Sequence, residues 1–457
     1  MHLSSQHRPS GVTARSRVGP VAAGFLVAPL LATGLSDPAA ATPPAFDRVS
    51  VSGTGEQGDQ HSSAATMSGD ARYVVFHSTS TDLVPGDTNN ISDVFLHDRR
   101  AHSTIRVSVS STGTQADGFS YDSVVSGNGR YVAFGSTATN LVPDDTNGIA
   151  DVFVHDVQTG TTSRVNVDDA GAQAGVGPGI DGESNSQVTI SADGRYVAFH
   201  SGADNLVPGD TNGAVDVFVH DRKNASTTRV SVTRAGTQSR HGGFNPALSA
   251  DGQHIAFLSD SPDLVRGDTN GIGDVFVRDL RTGTNSRVSV SSTEQQTVDG
   301  ETYRAYVAIS ANGQFVAFTS SATTLVPDDT NRRYDVFLRD RRAGETHRIS
   351  QATTGEQADN DSNAPAISGN GRIVAFQSDA GNLTPDSIRG TALFTRDWRA
   401  GTTRMIPASQ VISYPYASGF PSLSSNGRHI AFAALDSDLV PGDTNNATDV
   451  FVGRTFR

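Results

Sequence analysis

The chain of 457 residues contains no cysteine, a single lysine and a single tryptophan. Without cysteine there is no disulfide framework, no thiolate nucleophile and no cysteine-ligated zinc or iron–sulfur site. A chain of this length can bury enough apolar surface to fold without disulfides. The sequence also lacks a G-x-S-x-G elbow, an H-E-x-x-H motif and a glycine-rich phosphate loop. Three common enzyme signatures, for serine hydrolases, metalloproteases and nucleotide-binding proteins, are therefore absent.

Positive charge is scarce as well, because 35 basic side chains face 48 acidic ones, for a formal net charge of −13. Such a surface repels nucleic acid and anionic lipid, so we expect neither nucleic acid nor a membrane as a partner of the mature form. The one extended apolar run, Val21–Leu35, follows three arginines and precedes the small residues 39–41. This arrangement predicts a Sec-type signal peptide over residues 1–41 and a secreted or extracytoplasmic protein.

Glycine is abundant, with 46 residues, as expected of many short strands joined by tight turns. One segment, seen most clearly at Ser191–Val232, recurs seven times along the chain. The phenylalanines that close its second apolar run are spaced by 58, 65, 58, 61, 58 and 56 residues. Such a period indicates a repeat architecture within one domain, residues 42–457. The repeats start near residues 64, 121, 187, 246, 306, 365 and 421.

Each repeat holds four strands of different character. The first is short, is made largely of small residues and ends in an Asx-Gly hairpin signal such as Asp193-Gly194. The second and third, such as Tyr196–Phe199 and Asp216–Val219, are apolar on both faces, as strands sandwiched between layers are. The fourth, such as Arg229–Val232, alternates apolar and polar residues and should be half exposed. This order from small to half-exposed describes one blade of a β-propeller.

The number of strands predicts how the ring closes. First, second and third strands each occur seven times, but a fourth strand follows only six of them. An isolated strand of the fourth type, residues 48–52, precedes the first repeat. We therefore predict an all-β, seven-bladed propeller with four antiparallel strands per blade, whose last blade is closed by the N-terminal strand 48–52. The six predicted fourth strands are Arg106–Ser110, Arg164–Val167, Arg229–Val232, Arg287–Val290, Arg348–Ser350 and Arg404–Ile406.

The repeat resembles a known family. The pattern S-x-[DN]-G-R-Y-V-A-F followed by D-V-F-[VL]-x-D is similar to the WD40-like propeller repeats of the TolB type, in the long form of secreted bacterial proteins. The resemblance covers residues 46–457 and implies the propeller fold. It leaves the function open, because such propellers serve as binding scaffolds, as enzymes and as partner domains of peptidases.

The loop between the second and third strands carries Asp-Thr-Asn-x-x-x-Asp in six of the seven repeats, and we call it the DTN loop. Oxygen ligands at loop positions 1, 3 and 7 are typical of calcium loops, so one interpretation is a weak calcium site in each blade, with calcium the one cofactor suggested. The other is a turn capped by its own Asp and Asn, favoured because position 5 carries no acid and no bidentate Glu follows. The candidate metal ligands are Asp87, Asn89, Asp93, Asp145, Asn147, Asp151, Asp210, Asn212, Asp216, Asp268, Asn270, Asp274, Asp329, Asn331, Asp335, Asp443, Asn445 and Asp449.

Two further features belong to the same face of the predicted ring. The linkers that enter the inner strands carry Asp-x-x-Ser/Thr, which predicts either a ring of carboxylates at the channel mouth or a set of capped turns. Its copies are Asp59/Ser62, Asp117/Ser120, Asp181/Ser184, Asp299/Thr302 and Asp359/Ser362. Aromatic residues gather near the same mouth, and both a ligand site and core packing explain them. They are Phe119, Tyr121, Phe244, Tyr303, Tyr306, Tyr414, Tyr416 and Phe420.

These patterns favour a secreted, monomeric, non-enzymatic binding or scaffold module with an unidentified protein, peptide or glycan ligand. Its working surface is predicted to be the acidic face that bears the DTN loops. The alternative is a calcium-assisted carbohydrate-active enzyme, a glycosidase or a lyase, with its site at the channel mouth, since paired carboxylates carry out such chemistry. The sequence assigns no catalytic residue.

Overall fold

A computed structural model describes residues 46–175, 187–300, 306–387, 390–408 and 420–456. All regular secondary structure in these ranges is β-strand. No helix that could cross a membrane was found among them. Several predictions fall outside the described residues, namely the signal peptide over 1–41 and the candidate residues Asp181, Ser184, Thr302, Tyr303, Tyr414 and Tyr416.

The described residues form seven antiparallel sheets of four strands, which confirms the predicted propeller. Blade 1 is β2 (Ser62–Met67), β3 (Tyr73–Ser78), β4 (Asp93–Asp98) and β5 (Ser103–Arg106); blade 2 is β6 (Ser120–Val125), β7 (Tyr131–Ser136), β8 (Asp151–Asp156) and β9 (Thr161–Arg164); blade 3 is β10 (Thr189–Ile190), β11 (Tyr196–Ser201), β12 (Asp216–Asp221) and β13 (Ser226–Arg229); blade 4 is β14 (Phe244–Leu248), β15 (His254–Ser259), β16 (Asp274–Asp279) and β17 (Thr284–Arg287); blade 5 is β18 (Val307–Ile309), β19 (Phe315–Ser320), β20 (Asp335–Asp340) and β21 (Glu345–Arg348); blade 6 is β22 (Ser362–Ile367), β23 (Ile373–Ser378), β24 (Ala392–Asp397) and β25 (Thr402–Ile406); blade 7 is β26 (Ser422–Leu423), β27 (His429–Ala434), β28 (Asp449–Arg454) and β1 (Phe46–Arg48).

The second and third strands of every blade are buried on both faces, as predicted. In blade 1, Phe76 lies opposite Phe95, with ring centroids 5.9 Å apart. The corresponding pair recurs in all seven blades at 5.7 to 6.0 Å. On the other face, Val75 and Val94 pack with Val132 of blade 2 in one buried cluster. The hydrophobic core therefore runs between successive blades and makes each blade depend on its neighbours.

The N-terminal strand closes blade 7, which confirms the predicted topology. Phe46 pairs with Gly453 and Arg48 with Phe451, and the Val49 N–H donates to the Val450 carbonyl at 2.8 Å. The bounds differ from the prediction, because the strand covers 46–48 instead of 48–52. Both ends of the described propeller thus meet in one sheet, and the outer strand that blade 7 lacks is supplied by the start of the chain.

The outer strands of blades 1 to 5 are displaced in the same way. The arginine that we predicted as the first residue of each is its last, as Arg106 is in β5. The polar residue two positions later, a serine in four of these blades and Asn166 in blade 2, explains the shift. The Ser108 Oγ accepts a hydrogen bond from the Val94 N–H at 3.0 Å and donates one to Asp93 at 2.5 Å. Because a side chain takes the place of the backbone partner, regular pairing ends near the arginine.

The hairpin turns between the first and second strands of the blades contact one another at one end of the central channel. Their backbones form a closed ring of hydrogen bonds, from the N–H of Gly69, Asn128, Ala192, Asp251, Ala311, Asn370 and Ser425 to the carbonyl of Gly127, Ala192, Ala250, Ala311, Gly369, Ser425 and Gly69, respectively. A Cβ on Gly69 would lie 2.6 Å from the Ser425 hydroxyl, and one on Gly127 would lie 2.8 Å from the Ala192 methyl. Close approach explains why only Gly, Ala and Ser occupy this position in the seven blades.

Candidate functional site

Each DTN loop is held by an arginine from the outer strand of its own blade. In blade 4, the Arg287 Nη1 lies 3.1 Å from the Asp268 Oδ1 and 3.1 Å from the Asp274 Oδ2. The Asp274 side chain is fully buried, and its Oδ1 accepts the Ser289 hydroxyl at 2.5 Å. The guanidinium therefore supplies positive charge between the two carboxylates, where a bound cation would otherwise be needed.

The asparagine of the loop is committed to the backbone. The Asn270 Oδ1 accepts the Ile272 N–H at 3.3 Å, which is an Asx turn, while its Nδ2 donates to the Thr297 carbonyl at 3.2 Å. Both contacts recur in all six DTN loops. Since Thr297 belongs to the linker that follows the outer strand, this asparagine joins the two loop sets on one face.

The arginine contact recurs with small variations in the other blades that carry the motif. Arg48 bridges Asp443 and Asp449, Arg106 bridges Asp87 and Asp93, Arg164 bridges Asp145 and Asp151, and Arg229 bridges Asp210 and Asp216, at 2.8 to 3.5 Å. In blade 5, Arg348 contacts Asp329 at 3.3 Å and donates a hydrogen bond to the side-chain Oε1 of Gln357 at 2.7 Å. Burial raises the pKa of Asp335 and Asp449 to about 6, although hydrogen bonds and the arginine oppose it.

Blade 6 has lost the acid and the arginine together. Ala392 lies opposite Ser378, where the other blades place the buried aspartate opposite a serine or, in blade 7, an alanine. Met405 lies opposite Phe394, where blade 1 places Arg106 opposite Phe95. The joint loss indicates that the carboxylates and the guanidinium form one structural unit. We call this unit the Arg–Asp lock.

The donor set of a DTN loop does not fit a calcium ion. Calcium takes six to eight oxygen ligands, whereas each loop offers two carboxylates next to a guanidinium and an amide oxygen already bonded to the backbone. In the part of the chain that the structure describes, no group of three or more His, Cys, Asp or Glu residues is arranged to hold a metal. The contacts favour the capped-turn interpretation, and the per-blade calcium sites stay a prediction.

Calcium is accordingly expected to have no effect on thermal stability. The melting temperature of the protein should be the same in millimolar calcium and in a chelator, because in each Arg–Asp lock a guanidinium already lies between the loop carboxylates. Differential scanning calorimetry measures this directly, with equilibrium dialysis against calcium as a second readout. Several calcium ions bound per chain, together with a melting temperature that falls on chelation, would contradict the lock and support the calcium interpretation.

The second acidic motif also caps turns. The Asp59 Oδ1 accepts the Thr81 N–H at 2.9 Å and its Oδ2 accepts the Thr81 hydroxyl at 3.0 Å, which ties the linker to the loop after the second strand. Asp117, Asp299 and Asp359 make the corresponding contacts with Thr139, Thr323 and Gly381. These described carboxylates are therefore used within their own blades, which favours capped turns over a carboxylate ring at the channel mouth.

A cavity of about 340 Å³ lies in the central channel, lined by residues of the inner strands of all seven blades. One repeat position, four residues before the serine at which the inner strand ends, holds different residue types around this cavity. We call these residues the mouth ring: Ala64, Asp122, Gln187, Asn245, Tyr306, Ala364 and Phe420. All of them except Ala364 line the cavity.

The backbone of the mouth ring departs from regular strand geometry. Five of its members have a positive φ between 49 and 57°: Ala64, Asp122, Gln187, Asn245 and Ala364. The pairing register shifts at this point in β2, β6, β14 and β22. Such bulges re-aim side chains, and a positive φ outside glycine costs on the order of 1 kcal/mol per residue. The inner strands therefore carry the same local strain around the cavity in at least five blades.

The mouth ring is chemically asymmetric. Asp122, Gln187 and Asn245 come from the consecutive blades 2, 3 and 4 and form a polar arc. Tyr306 and Phe420, from blades 5 and 7, lie with ring centroids 4.3 Å apart and planes at 54°. Asp122 is partly buried, its Oδ2 accepts the Gln187 N–H at 3.4 Å, and burial raises its pKa to about 6. The cavity thus has one acidic side and one aromatic side.

Of the predicted aromatic residues, the structure brings Tyr306 and Phe420 together at the cavity. Phe119, which is 56% exposed, Tyr121 and Phe244 are not among its lining residues. Sequence reasoning missed the polar arc altogether. The signal was available, because a position-by-position comparison of the seven copies shows a polar residue at this place in three successive repeats.

Comparisons with known proteins inform the fold. No protein-family model matches the sequence, and no curated protein matches it either. Among solved structures, the chain is similar to an oligogalacturonate lyase from Vibrio parahaemolyticus, with a TM-score of 0.51 and 9% identity over 85% of this chain and 90% of that one. It is also similar to TolB from Acinetobacter baumannii (TM-score 0.40, 14% identity, 77% of this chain and 64% of that one) and to a putative TolB from Agrobacterium tumefaciens (TM-score 0.42, 12% identity, 87% and 99%).

In fold, the chain is a seven-bladed β-propeller. The resemblance predicted from the repeat pattern is confirmed at that level. Identities this low carry over neither ligand, nor substrate, nor catalytic residue.

Proposed function

We propose that the protein is an exported, monomeric, non-enzymatic binding module whose ligand enters the cavity at the mouth ring. The observation that carries the proposal is the departure of this ring from the repeat. In a repeat protein each copy meets the same packing problem and solves it with similar residues. A position that lines a cavity and changes from Asp to Gln, Asn, Tyr and Phe between copies is instead available for contact with a ligand.

The cavity lining supports binding over hydrolysis or elimination. Asp122 is the one carboxylate among the described residues that line the cavity. A glycosidase working with paired carboxylates needs two of them about 5 to 10 Å apart. The size of the cavity, about 340 Å³, suits one amino-acid side chain or one small ring of a larger peptide or glycan ligand.

A peptide and glycan binding screen, with turnover of each hit followed in parallel, tests this proposal. We expect a ligand of the wild type to bind the Phe420→Ala variant about tenfold more weakly, because the substitution removes an aromatic wall of the cavity. Phe119→Ala is the matched control, since it makes the same change at an exposed phenylalanine outside the cavity lining. Equal binding by both variants would contradict the proposed site, and turnover of a bound glycan would favour the enzymatic alternative.

A further inference from the structure

Asp122 is the only residue with a formally charged side chain among the described residues that line the cavity. Its one described hydrogen bond is the long contact from the Gln187 N–H at 3.4 Å, and no arginine, lysine or histidine of the described residues forms an ion pair with it. The DTN loop carboxylates, by contrast, are each matched by an arginine or by hydrogen-bond donors. An ionised carboxylate in a mainly apolar cavity is unfavourable unless a positive group approaches it.

The other side of the cavity offers what an organic cation binds. The rings of Tyr306 and Phe420 lie 4.3 Å apart, at the rim of blades 5 and 7. The negative faces of aromatic rings attract ammonium groups within about 6 Å, more strongly when water is excluded. Below the rim, the lining is largely apolar, with residues such as Leu248, Ile309 and Leu423, which suit an aliphatic chain.

From these contacts we propose that the mouth cavity binds a primary ammonium group carried on an aliphatic chain, with Asp122 as the counter-ion and Tyr306 and Phe420 as the aromatic wall. The ligand is either a free alkylamine or the side chain of a lysine in a peptide, which share this chemistry. The inference rests on the proposed function and names the class of ligand for the same cavity.

Other ligand classes fit these contacts less well. An anion would be repelled by Asp122 and by a chain whose formal net charge is −13. A metal ion would find one carboxylate and a few amide or hydroxyl oxygens in a mainly apolar lining, too few for the shell of calcium. A neutral sugar could stack on the aromatic rings, but it would leave the charge of Asp122 uncompensated.

Calorimetric titration of the mature chain with three probes tests the inference. The probes are pentylamine, N-acetyl-lysine methylamide and N-acetyl-norleucine methylamide, the last being the neutral counterpart of the second. Both amines are expected to bind, and norleucine to bind at least about tenfold more weakly. Asp122→Asn, which keeps the shape and removes the charge, is expected to lower amine affinity about tenfold while leaving norleucine unchanged. Pentylamine binding without binding of the lysine derivative would assign a free amine, and the reverse a peptide.

Acidification provides a second readout. Burial raises the pKa of Asp122 to about 6, so amine affinity should fall as the pH drops through that value and the carboxylate loses its charge. Among the described residues that line the cavity, Tyr306 is the only other one with a titratable side chain, and an ordinary tyrosine is neutral over this pH range. In Asp122→Asn the weak residual binding of the amines should be independent of pH over the same range.

Thermal unfolding of Asp122→Asn shows whether the variant is folded. The pKa of Asp122 is about 6 in the folded protein, against the ordinary 3.8 of an unfolded chain. The ionised carboxylate therefore destabilises the folded state above pH 6. The variant should therefore melt at or above the wild-type temperature at neutral pH. The difference should vanish below about pH 4, where Asp122 is protonated in both the folded and the unfolded state.

If norleucine binds as tightly as the amines and Asp122→Asn changes nothing, the ammonium inference is overturned while loss of binding in Phe420→Ala still upholds the proposed site. If no peptide, glycan or amine probe binds, both are overturned.

Discussion

Deletion of residues 46–53 is expected to open the ring, lower the melting temperature by about 10 °C or more and cause aggregation. The deletion removes the outer strand of blade 7 and leaves β28 as an unpaired edge. It also removes Phe46, whose ring packs edge-on against Phe432 at 5.6 Å, and the buried Val49. Burial of these two side chains alone contributes about 3 to 5 kcal/mol.

The same deletion breaks an Arg–Asp lock. Arg48 is the arginine of blade 7, and its Nη1 lies 3.2 Å from the fully buried Asp449 and 3.5 Å from Asp443. The Ser50 hydroxyl also donates to Asp449, at 2.5 Å. Without Arg48 and Ser50, the carboxylate of Asp449, whose pKa is raised by burial, stays buried without its cation, which costs several kcal/mol.

Calorimetry and size-exclusion chromatography with light scattering measure the outcome. Asp47→Ala is the control within the same strand, because the Asp47 side chain is 60% exposed and its ion pair with Arg99 lies at the surface. That variant is expected to change the melting temperature little. A deletion variant that stays monomeric and melts like the wild type would show that the first strand does not close the propeller.

Seven blades, the strand order and the closing strand were all predictable from the sequence, because apolar periodicity and Asx-Gly turns are local signals. The ends of the outer strands were not. Arg106 was predicted to start an outer strand and instead ends β5. Its position depends on the Ser108 hydroxyl replacing a backbone acceptor for the Val94 N–H, which is a tertiary contact without a local signature.

The candidate site was predictable only in part, for two physical reasons. The repeated Asp and Asn were visible, but their partner Arg287 lies on another strand, and only the pairing register brings it to Asp274. The sequence did hold one clue, since Ala392 and Met405 replace the acid and the arginine in the same blade. The mouth ring was hidden for the opposite reason, because a search for repeated motifs overlooks the position at which the repeats differ.

Asp274→Ala is expected to lower the free energy of unfolding by about 3 to 5 kcal/mol, because Arg287 loses one of its two carboxylates and buried donors lose their acceptor. Asp274 is fully buried, and its loss leaves Arg287 with Asp268 as its one acidic partner. The Ser289 hydroxyl and the Asn270 amide also lose their acceptor. Denaturant unfolding monitored by far-ultraviolet circular dichroism measures the change in the free energy of unfolding. Asp260→Ala, an exposed aspartate of the same blade, is expected to stay within about 0.5 kcal/mol of the wild type.

The double variant Asp274→Ala/Arg287→Met shows whether Asp274 and Arg287 stabilise the blade as one unit or independently. It gives blade 4 the pair that blade 6 carries as Ala392 and Met405, and it leaves Asp268 as the remaining carboxylate of the lock. We expect the two single variants together to lose about 1 to 3 kcal/mol more than the double variant loses, the coupling typical of residues in direct contact. Arg287→Met alone should be destabilised as well, since Asp268 and Asp274 then repel each other without a cation between them. A double variant whose loss equals the sum of the two single losses would mean that arginine and aspartate act independently, and the joint change in blade 6 would then have another cause.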